Sequence, residues 1–333
     1  MEPQFSKSRI RWAGSILRND DSNPADLQCA HEALAYWRSA HESPLDEMMH
    51  ILESSPVEGA IVVSRLKRID TIKGKLQRAG QHHELDTMYD IAGCRIIVPT
   101  VEGVYQVRDY LSRQANIAKL LDRIVDPKLN GYRSLHVITE HHSEKFGYPR
   151  LRVETQVRTQ LQHSWATAVE SYDLISRSHL KFDSGEKDVM RFFSLASGAF
   201  AIQESTTPVP DIPTSIDAIA HELSALDDIL HITDRLSAFS QSMSFVMDGQ
   251  KVPKAPYYLI KVDYDMQGIW IVPLRDSSVG SIMTMYGIEE NEKLPSNDIL
   301  LVKAASVEDL HAAYPNYFSN IDSFIGLLDN LIQ

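Results

Sequence analysis

Between residues 59 and 79 the chain carries Arg65, Lys67, Arg68, Lys73, Lys75 and Arg78 against one acid, Asp70. Clustered guanidinium and ammonium groups bind phosphate oxygens by charge-assisted hydrogen bonds and neutralise charge that develops in phosphoryl transfer. Arg65 and Lys67 share a face if that stretch is extended, and a helix opening near Asp70 presents Lys73 and Lys75 at its start. The plainer alternative is a solvated helical face. Two acids stand nearby in pattern if not in sequence: Asp90 precedes a buried β-branched run, and Glu154 sits inside another, RVETQVRT. An acid among apolar strand residues must turn to solvent or find a partner. Two carboxylates from neighbouring strands form a natural Mg²⁺ site, because that ion usually takes one or two carboxylates plus substrate phosphates. Equally open is an Asp90 that caps a turn and a Glu154 paired with Arg152 or Arg158. The third group is Asn130-Gly-Tyr-Arg-Ser-Leu-His136, in which strand alternation puts Tyr132, Ser134 and His136 on one face. A flat ring beside two hydrogen-bonding groups suits a stacked nucleobase. Packing of that ring into the core is the competing use.

The elements that must position these residues can be read from periodicity. Residues 25–54 have a helical stripe through Leu27, Ala30, Leu34 and Trp37, interrupted at Ser43-Pro44 and resumed over 45–52. Cys94–Val98 is an apolar run ending at Pro99, as a buried strand should. Residues 101–121 return to helical spacing through Val104, Val107, Leu111 and Leu120. Asp126–Gly131 is rich in turn residues, Tyr132–Thr139 and Leu151–Val157 read as strands, and helix signals run from Thr159 to about residue 204. TTPVPDIPTS, residues 206–215, is the clearest linker. Beyond it, Ile216, Ile219, Leu223, Leu226, Leu230, Leu236 and Phe239 mark one long amphipathic helix. YYLIKVDY and GIWIVPL then form two strands joined at Asp265–Gly268, DILLVKA a third, and Ser306 and Ser319 each open a short helix in a Ser-x-x-acid start. The expected division is 1–205, 206–254 and 255–333, the last a small acidic ββαβα-like unit.

The chain has 333 residues, with 33 Lys+Arg against 45 Asp+Glu and a net charge of −12. Residues 201–333 hold 19 acidic and 7 basic side chains, which leaves 26 of each in residues 1–200. The whole negative excess lies in the last third, so bulk charge shows no basic nucleic-acid domain. No stretch approaches the ~18 consecutive apolar residues of a membrane helix, and MEPQFSKSRIRW lacks the apolar core of a secretory signal, so a cytoplasmic protein is expected. Cys29 and Cys94 form no CxxC, and neither HExxH nor a His-Asp dipeptide occurs, so zinc and His-Asp metallo-phosphohydrolase chemistry have no ligands.

SRLKRIDTIKGKL, YDIAGCRIIV, DPKLNGYRSLH and VETQVRT, in this order over about residues 55–175, resemble the synthetase domain of the RelA/SpoT family of alarmone synthetases. QHSWATAVE resembles the helix that follows that domain. The resemblance implies an α+β fold, a mixed five-stranded sheet flanked by helices and related to nucleotidyltransferases. It implies transfer of pyrophosphate from ATP to a nucleotide 3′-hydroxyl, giving (p)ppGpp or (p)ppApp with release of AMP. By the same likeness Asp90 and Glu154 are the Mg²⁺ carboxylates, and Glu154 is the candidate to receive the hydroxyl proton. Arg65, Lys67 and Lys75 fall to the ATP phosphates or adenine, and Arg95 and Arg158 to the charged shell around the reacting phosphates. Tyr132 stacks on the acceptor base, with Lys128, Asn130 and His136 around the acceptor. Where many family members have an aromatic residue in DYI, this chain reads Leu121-Asp-Arg-Ile124, so Arg123 replaces that ring.

Two other functions compete. One keeps the chemistry but uses the 3′ end of tRNA as acceptor, as toxin-like members do, although zero net charge in residues 1–200 is poor support for RNA binding. The other is a non-catalytic nucleotide-sensing or partner-binding module, which the presence of both carboxylates opposes. For the acidic tail the readings are an autoregulatory cover over the positive cleft and a homo-oligomerisation unit.

Overall fold

Ala92–Val98 forms β2, whose side chains are buried on both faces, as its unbroken apolar run requires. It pairs in parallel with β5 (Tyr148–Thr159) and antiparallel with β1 (Ile61–Leu66). In this computed structural model the described residues are 3–19, 22–78, 83–179, 186–244, 253–263, 268–274, 279–293, 297–304, 306–313 and 321–332. With β3 (Asn116–Asp122) and β4 (Leu135–Ser143) on the far side of β5, the first part of the chain builds the expected mixed five-stranded sheet. The sheet does not stop there. β6 (Tyr257–Asp263), β7 (Gly268–Leu274) and β8 (Asn297–Ala304) extend it to eight strands in the order β3-β4-β5-β2-β1-β8-β6-β7. The join is antiparallel, with Val63, Ser64 and Arg65 opposite Ala304, Lys303 and Val302. The core follows the sheet across it: Val63 and Ile97 are buried in one cluster with Tyr258, Ile260, Leu300 and Val302.

Helices cover both faces. α1 (Lys7–Arg18), which sequence patterning had not singled out, packs with α2 (Pro24–Ala40) and α4 (Ile69–Gln77) around Ile10, Trp37 and Ile72. α3 (Glu42–Glu53) starts anew after α2, with Pro44 in its first turn, where a missing N–H costs nothing. Its Met48, Met49 and Leu52 meet Leu66, Cys94 and Ile96, and α5 (Val101–Gln114) adds Val104, Val107 and Leu111. α6 (Gln160–His179) and α7 (Glu186–Gln203) form a further layer with α8 (Ile216–Leu230) and α9 (Ile232–Ser244). The C-terminal unit adds α10 (Val279–Glu292), α11 (Val307–Ala313) and α12 (Asp322–Ile332), whose Phe324 is buried among the helices of that layer.

Three expectations need correcting. The helix read through 101–121 ends at Gln114, and Leu120 lies on β3, because Asn116–Asp122 supplies β4 with a backbone partner that periodicity does not register. The single helix after the linker is two. His231 adopts a left-handed φ of 51°, and the Asp227 carboxylate accepts from the Thr233 backbone N–H at 3.0 Å and from its hydroxyl, starting α9 afresh. Ser134 does not join Tyr132 and His136: its buried hydroxyl donates to the Val157 carbonyl, and the strand begins only at Leu135. Of the two Ser-x-x-acid starts, Ser306 caps the Asp309 N–H at 3.0 Å; Ser319 and the turn residues 265–267 lie outside the described residues.

Candidate active site

β1, β2 and β5 run side by side, so residues in register across them face one another. Arg65 is opposite Gly93 and Gly93 is opposite Glu154, which sets the two side chains two strand spacings, roughly 10 Å, apart at the backbone. Gly93 between them has no side chain and leaves the floor of a cleft. That cleft is lined by Arg65, Lys67, Asp90, Gly93, Cys94, Arg95, Glu154 and Gln156, so four residues singled out by type and spacing converge there with Arg95, which the resemblance alone marks, while Lys75, Lys128, Asn130, Tyr132, His136 and Arg158 do not line it. All lining residues come from 65–156, none from the C-terminal unit among the described residues.

Asp90 sits at the mouth of β2 between two ammonium groups, with Lys67 Nζ and Lys75 Nζ each 2.9 Å from its oxygens. Burial opposes ionisation of this carboxyl, but the two lysines outweigh it and hold it down to about 2. Burial also lowers the Lys67 ammonium, against the pull of Asp90. Neither structural alternative for the acids is realised. Asp90 is paired rather than capping a turn, and Glu154 meets Nδ1 of His136, while Arg152 pairs with Glu140.

A second cluster, joined to Glu154 of the cleft through His136, is built around Tyr132. Its hydroxyl lies 2.8 Å from His136 Nε2 and accepts from Arg158 Nη2 at 2.9 Å. The Lys128 ammonium stands 5.2 Å and the Arg158 guanidinium 5.3 Å from the ring centroid, within cation–π range. The Asn130 side chain accepts from the Tyr132 N–H at 3.1 Å and shapes the turn. One ring edge packs on Trp165, so the residue serves the core as well. Arg123 folds back onto Asp126 rather than reaching the cleft.

Sequence reasoning missed the support for this loop. Gly131 has φ +86°, and a Cβ there would lie 2.8 Å from Ser197 Cβ and 3.1 Å from Ser194 Cα, so the loop can press against α7 only with glycine. Buried Arg133 donates to Glu204 at 3.0 Å and Thr206 at 2.9 Å, and Glu204 also accepts from Gln162 and Thr159. No local signal in the sequence pairs Arg133 with Glu204, 71 residues further on.

Two carboxylates in one cleft match the hard oxygen donors that Mg²⁺ prefers, with the rest of its shell left to water and phosphate. Among the described residues no group of three or more His, Cys, Asp or Glu could hold a metal unaided. None of the described helices is long and apolar enough to cross a membrane.

Residues 64–173 match the sequence model of a family described as a region found in RelA / SpoT proteins. The chain is similar to GTP pyrophosphokinase YjbM of Bacillus subtilis, 32% identical over 123 residues that make up 36% of this chain and 57% of that protein. It is also similar to GTP pyrophosphokinase YwaC of the same organism, 36% identical over 113 residues, 31% of this chain and 53% of that protein. The chain thus spans about half the length of these curated relatives. Among solved structures it is similar to small alarmone synthetase 1 of Bacillus subtilis bound to its product pppGpp, at 25% identity, covering 50% of this chain and 90% of that one, with a TM-score of 0.44.

Proposed function

We infer that this chain is an ATP-dependent pyrophosphokinase acting on a guanine nucleotide. The observation that carries the reading is the convergence of Arg65, Lys67, Asp90, Arg95 and Glu154 on one cleft. The RelA/SpoT region and the names of the curated relatives support it. In the reaction the acceptor 3′-oxygen attacks the β-phosphorus of ATP, the bond from that phosphorus to the α,β-bridging oxygen breaks, and AMP leaves with the bridging oxygen. Positioning and charge neutralisation dominate such transfers. Arg65, Lys67 and Lys75 bind the donor phosphates, and Arg95 and Arg158 stabilise charge on the transferred group. Tyr132 carries the acceptor base, flanked by Lys128 and Asn130. Glu154, oriented by His136, takes the proton of the attacking hydroxyl. Asp90 and Glu154 would hold Mg²⁺, which supplies Lewis-acid neutralisation of the phosphate oxygens when bound. In this organisation residues 1–205 form the synthetase unit, 206–254 a linker with helix, and 255–333 an acidic unit at the sheet edge.

The test is incubation of the full chain with γ-labelled ATP and a panel of GDP, GTP, ATP and deacylated tRNA. Label in a pyrophosphorylated guanine nucleotide, abolished by Glu154→Gln, is the expected result. Transfer to ATP or to tRNA instead replaces the acceptor, and transfer to none of them removes the reading.

A further inference from the structure

Lys67 and Lys75, the two lysines on Asp90, are separated by a corner in which β1 gives way to α4, and residues of the C-terminal unit hold that corner. α4 starts without a cap of its own. Its N-cap residue Arg68 makes no side-chain capping bond, so the first N–H groups of the helix need a partner from elsewhere. Ile69 finds one in Glu290 of α10, whose Oε1 accepts from its backbone N–H at 2.5 Å across 221 residues of sequence. The other oxygen of Glu290 lies 2.9 Å from Arg38 Nη2, with side chains 1% and 3% exposed, and the Arg38 guanidinium stands 5.0 Å from the ring of buried Tyr286. Neither atom of that contact is aligned for a hydrogen bond. A buried ion pair with incomplete hydrogen bonding is poor as a stabilising device, since desolvation offsets much of its attraction. Its value is better sought in what Glu290 does with Oε1.

The flanking residues repeat the pattern. Arg68 pairs with Asp298 on β8, and Asp70 pairs with Lys293, which follows α10. β8 itself runs beside the segment of β1 that bears Arg65. Residues 68, 69 and 70 are therefore each tied to the C-terminal unit, between the two lysines that grip Asp90.

We propose that the C-terminal unit positions the donor-phosphate side of the active site, with Glu290 as a positioning residue that fixes the start of α4 and hence where Lys75 stands relative to Lys67 and Asp90. The proposal rests on the reading of Arg65, Lys67 and Lys75 as ATP-phosphate ligands. It gives the acidic third of the chain a task at the site without covering it: Glu290 and Asp298 are spent at the junction.

Three full-length variants test it: Glu290→Gln, which keeps an acceptor for Ile69; Glu290→Met, which does not; and the double variant Arg38→Met with Glu290→Met, which also removes the stranded charge. KM for ATP, KM for the acceptor, thermal midpoint and amide hydrogen exchange over residues 67–77 are read for each. Glu290→Met is expected to raise KM for ATP at least about tenfold while KM for the acceptor stays within about twofold. The double variant regains the thermal midpoint, as apolar replacement of a buried ion pair commonly does, yet keeps the raised KM for ATP because the cap is still missing. Glu290→Gln stays nearest the parent. Recovery of KM for ATP together with the midpoint in the double variant would show a merely structural role and overturn the proposal, as would a KM for ATP unchanged in all three. Should the parent chain make no pyrophosphorylated nucleotide, it is the functional reading that fails. Exchange at residues 69–72 then decides alone: acceleration in both Met variants upholds the positioning, and parental rates sink it.

Discussion

His136 links Glu154 to Tyr132, with Nδ1 hydrogen-bonded to the carboxylate and Nε2 2.8 Å from the phenol oxygen. A carboxylate only accepts, so Nδ1 carries the proton, and in the neutral ring Nε2 must accept from the Tyr132 hydroxyl. That hydroxyl in turn accepts from Arg158. Every donor in the series Arg158, Tyr132, His136, Glu154 thus points toward the carboxylate. The arrangement orients Glu154 and joins Tyr132, the proposed base platform, to the carboxylate proposed to take the hydroxyl proton. His136→Ala is expected to lower kcat by about 10²-fold, within the usual range for a proton-transfer group and its support, with KM for ATP little changed. Tyr132→Phe keeps the ring and breaks the series, so it should reduce kcat alone. Tyr132→Ala also loses stacking of about 1–3 kcal/mol and should raise KM for the acceptor. Steady-state kinetics with each substrate varied separately checks all three.

Lys75 and Asp90 are coupled through their 2.9 Å contact, but Lys67 shares the carboxylate. Removing Lys75 leaves Asp90 with one ammonium partner, whereas removing Asp90 leaves two ammonium groups facing each other in a half-buried site. Lys75→Met and Asp90→Asn should therefore be non-additive, with a coupling of about 1–3 kcal/mol in a double-mutant cycle read by urea denaturation. A coupling below about 0.5 kcal/mol would mean that the contact is dispensable for stability.

Gly131→Ala places a methyl group where Ser197 Cβ would be 2.8 Å and Ser194 Cα 3.1 Å away, at a φ of +86° that L side chains rarely adopt. Backbone strain of about 1–3 kcal/mol adds to the clash, and the loop carrying Lys128, Asn130 and Tyr132 must lift from α7. The expected result is a lower denaturation midpoint together with a raised KM for the acceptor and an unchanged KM for ATP. Equal changes in both KM values would mean that the effect is global.

What could be read from sequence divides along a physical line. β2 shows in its apolar run, the turn before β4 shows in Asp126–Gly131, and Asp90 and Glu154 stand out as acids beside strand-like runs, which the cleft then unites. These are local patterns. β3 was absorbed into a helical period because its strand character depends on β4, some 20 residues on. The break at His231 depends on side-chain capping by Asp227, which apolar periodicity does not see. Arg133 with Glu204 and Arg38 with Glu290 join positions 71 and 252 residues apart, and nothing in either neighbourhood marks the partner. The join of β8 to β1 was hidden for the same reason, and it turns an apparent appendage into the continuation of the sheet.

Glu42 offers a pH test at that join. It lines a crevice between α3 and the C-terminal strands with Asp46, Tyr257 and Lys303. Burial pushes its carboxyl up to about 7, with Asp46 adding to the rise, against a hydrogen bond from Ser39 and the charges of Lys145 and Arg38. Its Oε1 is buried with no hydrogen-bond partner among the described residues. An acid whose folded pKa exceeds its unfolded one binds more protons when folded, so stability falls as pH rises from the unfolded value of about 4.5 through about 7 and then levels off. The nominal shift corresponds to about 3 kcal/mol; because the carboxyl keeps some contact with solvent, about 1–2 kcal/mol is the expected size. Glu42→Gln removes this titration and leaves the others in place. The stability difference between variant and parent, from urea denaturation at pH 5 and pH 8, should therefore shift in favour of the variant by about 1–2 kcal/mol at the higher pH. A difference that does not change with pH would show that Glu42 ionises in the folded chain as it does in the unfolded one.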